Sequence, residues 1–229
     1  MRAGTRTGRP VEIASDRLES EAMATIHQAT LTPTKLELLE AWLPGRHWYP
    51  ADEVPGLQRV AACRFDDPAG EVGMEMLVVR SGDDGPLVHV PMTYRGAPLE
   101  DGEFFLVGMM EHSVLGSRWV YDAVGDPVYI DALTTAIRTG AGQAEELLET
   151  PDGPQRRESS MTVRGTGMAP ASDPVGRLVR VEDGDPAVVV AEAARLDVRR
   201  VLSAEPAEGP LSLVGAWAGQ PSTVLAVLY

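Results

Sequence analysis

Short apolar runs separated by connections rich in Asp, Gly and Pro constrain this chain more than any other feature. The runs Leu57–Phe65, Glu71–Arg80 and Pro86–Arg95 are joined only by DDPAG and SGDDG. Such connections suit tight turns between antiparallel strands. In the third run Val88, Val90, Met92 and Tyr94 share one face, and Leu87, His89, Pro91, Thr93 and Arg95 share the other. Pro91 has no N–H to give a ladder, so its strand is expected at an edge or at a bulge. A fourth run, Glu103–Met110, is apolar almost throughout and reads as a strand buried on both faces.

Two segments change period from two to three or four. Thr32-Pro33 opens a helix whose Leu36, Leu39, Trp42 and Leu43 share a face, and Pro44-Gly45 closes it. Asp126-Pro127 opens a second, with Val128, Tyr129, Ala132, Leu133, Ala136 and Ile137 inward and Gly140 at its end. Gln143–Glu149 is expected to add a short helix, and Thr150–Ser160 has no periodicity and reads as a linker. Beyond it, Met161–Gly167, Arg177–Val181, Ala187–Glu192, Arg199–Ser203, Leu211–Ala216 and Thr223–Leu228 suggest an antiparallel meander. The apolar end, TVLAVLY, needs a partner strand to avoid aggregation. Strands and helices come in blocks without βαβ alternation, so the class is α+β.

Residues 1–22 hold four arginines, four acids and few large apolar groups. They are expected to be a disordered or non-native extension, with translation opening at Met23; a helix over Ile13–Ala22 is the competing reading. The expected organisation is therefore 1–22, a first α+β part over 23–149, a linker over 150–160, and a β extension over 161–229 that can pack with the first part.

Charge and cysteine usage exclude whole function classes. The chain of 229 residues has 20 basic and 34 acidic side chains, a formal net charge of −14 at pH 7. All of that excess lies outside residues 1–22, and it repels the polyanionic surfaces of nucleic acids and acidic membranes. No signal-peptide pattern and no apolar run of about 18 residues is present. A single cysteine, Cys63, excludes an internal disulfide and fits a reducing, cytoplasmic setting. Only Lys35 among the basic residues is lysine, a bias associated with GC-rich coding.

The chemistry-bearing residues gather in GMMEHSVLGSRWVYDAVGDP, residues 108–127. His112 cannot readily activate Ser113, because adjacent strand residues point to opposite faces, and no G-x-S-x-G elbow exists. The bland reading is a corner where Arg118 pairs with a carboxylate and Trp119 packs. A ligand-binding reading takes His89, Glu111, His112, Arg118, Trp119 and Tyr121. Cys63, among apolar neighbours, reads as a buried, inert thiol. None of His27, His47, His89 and His112 has metal-ligand spacing, so no metal site is expected. Gly165 and Gly167 are only a fragment of a Gly-rich loop, and no cofactor is expected. Trp42/Trp48 and His47/Tyr49 could form a sugar platform, or anchor the core.

Together, LELLEAWLPGRHWYP, three antiparallel strands and VYDAVGDPVYIDALTTAI resemble the N-terminal cap domain of bacterial maltokinases, over roughly residues 25–140. Arg46, His47, Trp48 and Tyr49 stand where that family has an R-x-R-W-F-type segment. Asp122, Ala123, Val124, Asp126, Pro127, Val128 and Tyr129 match its D-A-L-x-D-P-E-F segment. Glu111–Asp122 agrees with the EHSVLG-x-RWVYD stretch of stand-alone cap-like proteins of actinobacteria. The resemblance implies a curved antiparallel sheet embracing a helix, cystatin-like in outline. Full-length maltokinases continue into a catalytic lobe with an H-x-D-x-x-x-x-N loop; none of the four histidines here has Asp two residues later, and too few residues follow position 140 for both kinase lobes. The expected function is a non-catalytic module linked to maltose, trehalose or glycogen metabolism, binding a partner protein or a small carbohydrate-related ligand. The alternative is a small enzyme in the concave sheet face using His89, Glu111 and His112.

Overall fold

The computed structural model describes residues 23–26, 29–51, 54, 56–148, 150, 153–170, 173–203 and 210–229. The expectations for 1–22 and for His27 lie outside the described residues. Strands β1 (Met23–Ile26) and β2 (Leu31–Thr32) precede helix α1 (Lys35–Trp42). The helix begins two residues later than Thr32-Pro33 suggests. Thr34 is its cap: the Glu37 N–H donates to Thr34 Oγ1 at 3.3 Å, and Glu37 Oε2 accepts from the Thr34 N–H at 2.7 Å. That reciprocal box satisfies two otherwise orphaned donors, whereas Thr32 is spent as the last residue of β2.

The three long strands follow as expected, β3 (Leu57–Phe65), β4 (Val72–Ser81) and β5 (Leu87–Arg95), and then β6 (Leu106–His112) and β7 (Gly116–Asp122) form a hairpin. The order in this sheet is β2-β6-β7-β5-β4-β3. Glu103–Phe105 is a 3-10 turn rather than strand, and β6 is not buried on both faces: Met110 packs under α1, while Leu106 and Met109 are exposed. The segment around 113–115 is thus a hairpin turn, and β7 is a strand that the pattern does not reveal.

Helix α2 (Pro127–Thr139) is bounded as expected. Asp126 accepts from the Val128 N–H at 3.0 Å, and Gly140 closes the helix at φ 74°, a left-handed conformation that glycine adopts without penalty. The expected helix over 143–149 is instead strand β8 (Glu145–Leu148), parallel to β1 and antiparallel to β9 (Gln155–Arg157). The Ala144 N–H donates to the Arg64 carbonyl at 2.8 Å, which pulls the chain out straight after the left-handed cap. The expected linker thus contains a strand, and Ser160 Oγ accepts from the Ala62 N–H at 2.9 Å.

The remaining strands are β10 (Met161–Gly165), β11 (Leu178–Glu182), β12 (Ala187–Ala191), β13 (Ala194–Val198), β14 (Val201–Leu202), β15 (Leu211–Trp217) and β16 (Gln220–Leu228). Six of them form an antiparallel sheet in the order β10-β15-β16-β13-β12-β11. It combines the meander β11–β13 with the hairpin β15–β16, which pairs the apolar chain end. The expected strand over 199–203 shrinks to β14, and β14 crosses to the first sheet to pair with β5.

That crossing explains Pro91. Along the same edge of β5, β14 pairs Leu87 and Val88, the His89 N–H donates to the Arg200 carbonyl at 2.7 Å, and β7 pairs Met92–Arg95. Alternate residues present their N–H to the same edge, so position 91 faces the break between the two partners. The strand is internal, without a bulge against β4, and its proline falls where no donor is needed.

The first sheet is covered on both faces. Leu77, Val79, Val88, Val90 and Met92 pack with Leu39, Trp42 and Leu43 of the α1 region. Met74, Met76 and Val78 pack with Tyr129, Ile130, Leu133 and Ile137 of α2, in a core continuous with Met161, Leu196, Leu213 and Leu225 of the six-stranded sheet. A Cβ on Gly165 would stand 1.9 Å from the Ala136 carbonyl, so backbone approaches backbone there. The two glycines at 165 and 167 close the sheet onto α2. Among the described residues no helix is long and apolar enough to cross a membrane.

Candidate functional site

The strand registers divide the six expected site residues. His89 is buried at 1% exposure, on the α2 side of β5. Its Nδ1 lies 3.0 Å from the Arg199 carbonyl, so Nδ1 carries the proton, and Nε2 has no hydrogen-bond partner among the described residues. Burial and the nearby Arg200 bring its pKa down to about 4, against the hydrogen bond to Arg199. Glu111 and His112 lie instead at the β6–β7 hairpin, where Ser117 Oγ donates to Glu111 at 2.6 Å. His112 Nδ1 accepts from the Val114 and Leu115 N–H groups at 3.3 and 3.1 Å. Tyr121 is buried, its hydroxyl accepting from the Leu99 N–H at 2.9 Å, and Trp119 is half-buried on the same face of β7. The three groups of the enzymatic alternative therefore do not converge. Arg118 also departs from the bland reading: it donates to the Ser117 carbonyl at 3.2 Å and forms no ion pair with a carboxylate among the described residues.

His112 and Arg118 do share a cavity, of about 420 Å³, at the open end of the α1 face. Lys35, Arg64, Leu31, Gly73, Tyr94 and Met110 also line it. Beneath lies a charge cluster that pattern reasoning missed. Glu75 is buried and accepts from Lys35 Nζ and from the Tyr94 hydroxyl at 2.8 Å, with Arg64 at 3.9 Å. Burial alone would raise the Glu75 carboxyl, but Lys35, Arg64 and the two hydrogen bonds bring it down to about 2. The signal was present: Glu75 is the one ionisable residue inside VGMEMLVV, and Lys35 is the only lysine.

A second buried cluster lies outside the cavity lining. Arg200 is fully buried and forks onto Asp122, with Nη1 at 3.0 Å from Oδ1 and Nη2 on Oδ2. Its guanidinium lies 4.9 Å from the centre of the Trp48 ring. The Trp48 indole donates to Asp183 at 2.7 Å, and Arg46 stands 3.7 Å from the same carboxylate. Trp42 and Trp48 meet edge to face at 5.9 Å and are both buried, as is Tyr49, so those rings anchor the core rather than present a sugar platform. Asp126, also fully buried, caps α2 and takes a forked contact from Arg95 at 2.6 and 2.7 Å.

Catalytic chemistry needs convergent groups with room for a reactant. Cys63 offers none, since it is buried and its thiol is pushed up by burial and by the charges of Glu146 and Glu75. Among the described residues no group of three or more His, Cys, Asp or Glu side chains is placed to hold a metal.

No curated protein matches this chain. The family model of the maltokinase N-terminal cap domain matches residues 42–126. That stretch runs from Trp42 at the end of α1 to the Asp126 cap of α2, and it holds Trp48, Glu75, Asp122 and both strands of the β6–β7 hairpin. Over residues 42–126, therefore, the chain is similar to the maltokinase N-terminal cap domain, the family its motifs resemble.

Proposed function

We propose that the chain is a non-catalytic, cap-like binding module of the cytoplasm, serving maltose, trehalose or glycogen metabolism by engaging a partner protein or a small carbohydrate-related ligand. One observation carries the reading: the signature side chains of the matched segment are spent on holding the fold. Trp48 holds Asp183, Asp122 holds Arg200, and Asp126 caps α2 and holds Arg95. None of the three is left to act on a substrate.

In this reading the first sheet and α1 form a cystatin-like outline, and residues 161–229 are an antiparallel extension that folds with it as one unit. The shared core around α2 and the crossing of β14 onto β5 support that unity. Affinity capture with mass spectrometry, beside a thermal-shift screen of sugars and nucleotides, tests the function. A specific partner or a stabilising sugar is the expected result. Transfer of phosphate from ATP to maltose by the purified chain would overturn it.

A further inference from the structure

We infer that the cavity between α1 and the β6–β7 hairpin is a binding site for a small organic monocarboxylate with an apolar body. It goes beyond the partner or sugar proposed above, and its failure would leave that reading standing.

One guanidinium on the cavity wall, that of Arg118, has no carboxylate partner among the described residues. Beneath the cavity Glu75 faces two of the lining cations, Lys35 and Arg64, and also accepts from Tyr94. Arg118 adds a third cation, which donates to the neighbouring Ser117 carbonyl. One of the acids that line the cavity is already committed. Both oxygens of Asp67 accept backbone N–H groups, from Ala69, Glu71 and Val72 at 2.9–3.0 Å. A half-buried guanidinium prefers the planar fork of a carboxylate to water when one is delivered to it.

The rest of the lining sets the body and the charge of the ligand. Leu31, Phe65, Met110 and Leu115 offer apolar surface, and about 420 Å³ accommodates a small organic molecule. Asp66 and Glu71 also border the cavity, so a single negative charge is favoured over a doubly charged phosphate.

Isothermal titration of the full chain with hexanoate, hexanamide and phenyl phosphate tests the site at low ionic strength. Hexanoate should bind one to one with a Kd below about 1 mM, phenyl phosphate more weakly, and hexanamide not measurably. Arg118→Gln should weaken hexanoate roughly tenfold or more. Leu115→Glu, at an exposed position on the cavity wall, should weaken it similarly by repulsion, and Arg180→Gln on β11 should not change it. The inference falls if hexanoate does not bind, if hexanamide binds equally well, or if Arg118→Gln binds hexanoate like the parent. Tighter binding of phenyl phosphate than of hexanoate would overturn the assignment of a single charge.

Discussion

The first sheet holds two buried charge clusters that use the same groups to different ends. At one, Glu75 faces Lys35 and Arg64 beside a cavity, and the cations keep about a fifth of their side-chain surface in solvent. At the other, Asp122 and Arg200 lie in a seam closed by Trp48 and Asp183, at 3% and 0% exposure. The difference teaches where each cluster can act. Ions that reach water can be rehydrated when a partner is lost, or satisfied by a ligand. Ions sealed from water are committed to each other, and losing one strands the other.

The sharpest way to break this comparison is to remove Arg200. Arg200→Met keeps the bulk of the side chain but leaves Asp122 buried without its cation and Trp48 without its cation contact. Stability to urea should fall by about 3–5 kcal/mol. A loss below about 1 kcal/mol would mean that the seam is not the sealed contact described.

A pH series comes next in size and separates the clusters by window. His89, beside the sealed seam, protonates near 6.5 when unfolded but only at about 4 when folded. The unfolded chain therefore takes the proton first as pH falls. Roughly 3 kcal/mol present above pH 6.5 should be lost progressively toward pH 4. Glu75 works lower down: its ordinary value of 4.5 is brought to about 2 by folding, so its contribution is complete above 4.5 and lost as pH falls toward 2. Equilibrium unfolding between pH 7 and 4 should show the first slope in the parent, and His89→Leu should flatten it.

Glu75→Gln should cost less than Arg200→Met, about 1–2 kcal/mol, because Lys35 and Arg64 can turn to water in the cavity. An equal cost in the two variants would erase the distinction between open and sealed clusters. Arg118→Gln should be smallest, within about 0.5 kcal/mol by the same urea assay, since among the described residues its side chain donates only to a neighbouring carbonyl.

What could be read from the sequence divides along the same line. The three long strands and the ends of α2 were legible, because their signals are local: Asp126-Pro127 caps, Gly140 stops, and DDPAG and SGDDG turn. The long-range contacts were not. Asp122 meets Arg200 across 78 positions, and β14 is two residues long, held in register by β5 rather than by any propensity of its own. The segment 143–149 read as helix because EELLE suits one, yet the chain is drawn straight by pairing with β1 and β9. Of the expected site, His112 and Arg118 meet at the cavity, while His89 and Tyr121 turn into the core. Adjacent motif residues on β7 fall on opposite faces, so their closeness in sequence separated rather than joined them.

The central claim is that the cap segment and the following β-sheet are one cooperative body, fastened at the Arg200 seam. Native-state hydrogen exchange of the full chain in low urea tests it most directly. The account predicts that the slowest amides of β3–β5 and of β12, β13 and β16 exchange with one common opening free energy and one common dependence on urea. Exchange of the six-stranded sheet at a distinctly lower free energy, while β3–β5 stay protected, would contradict it.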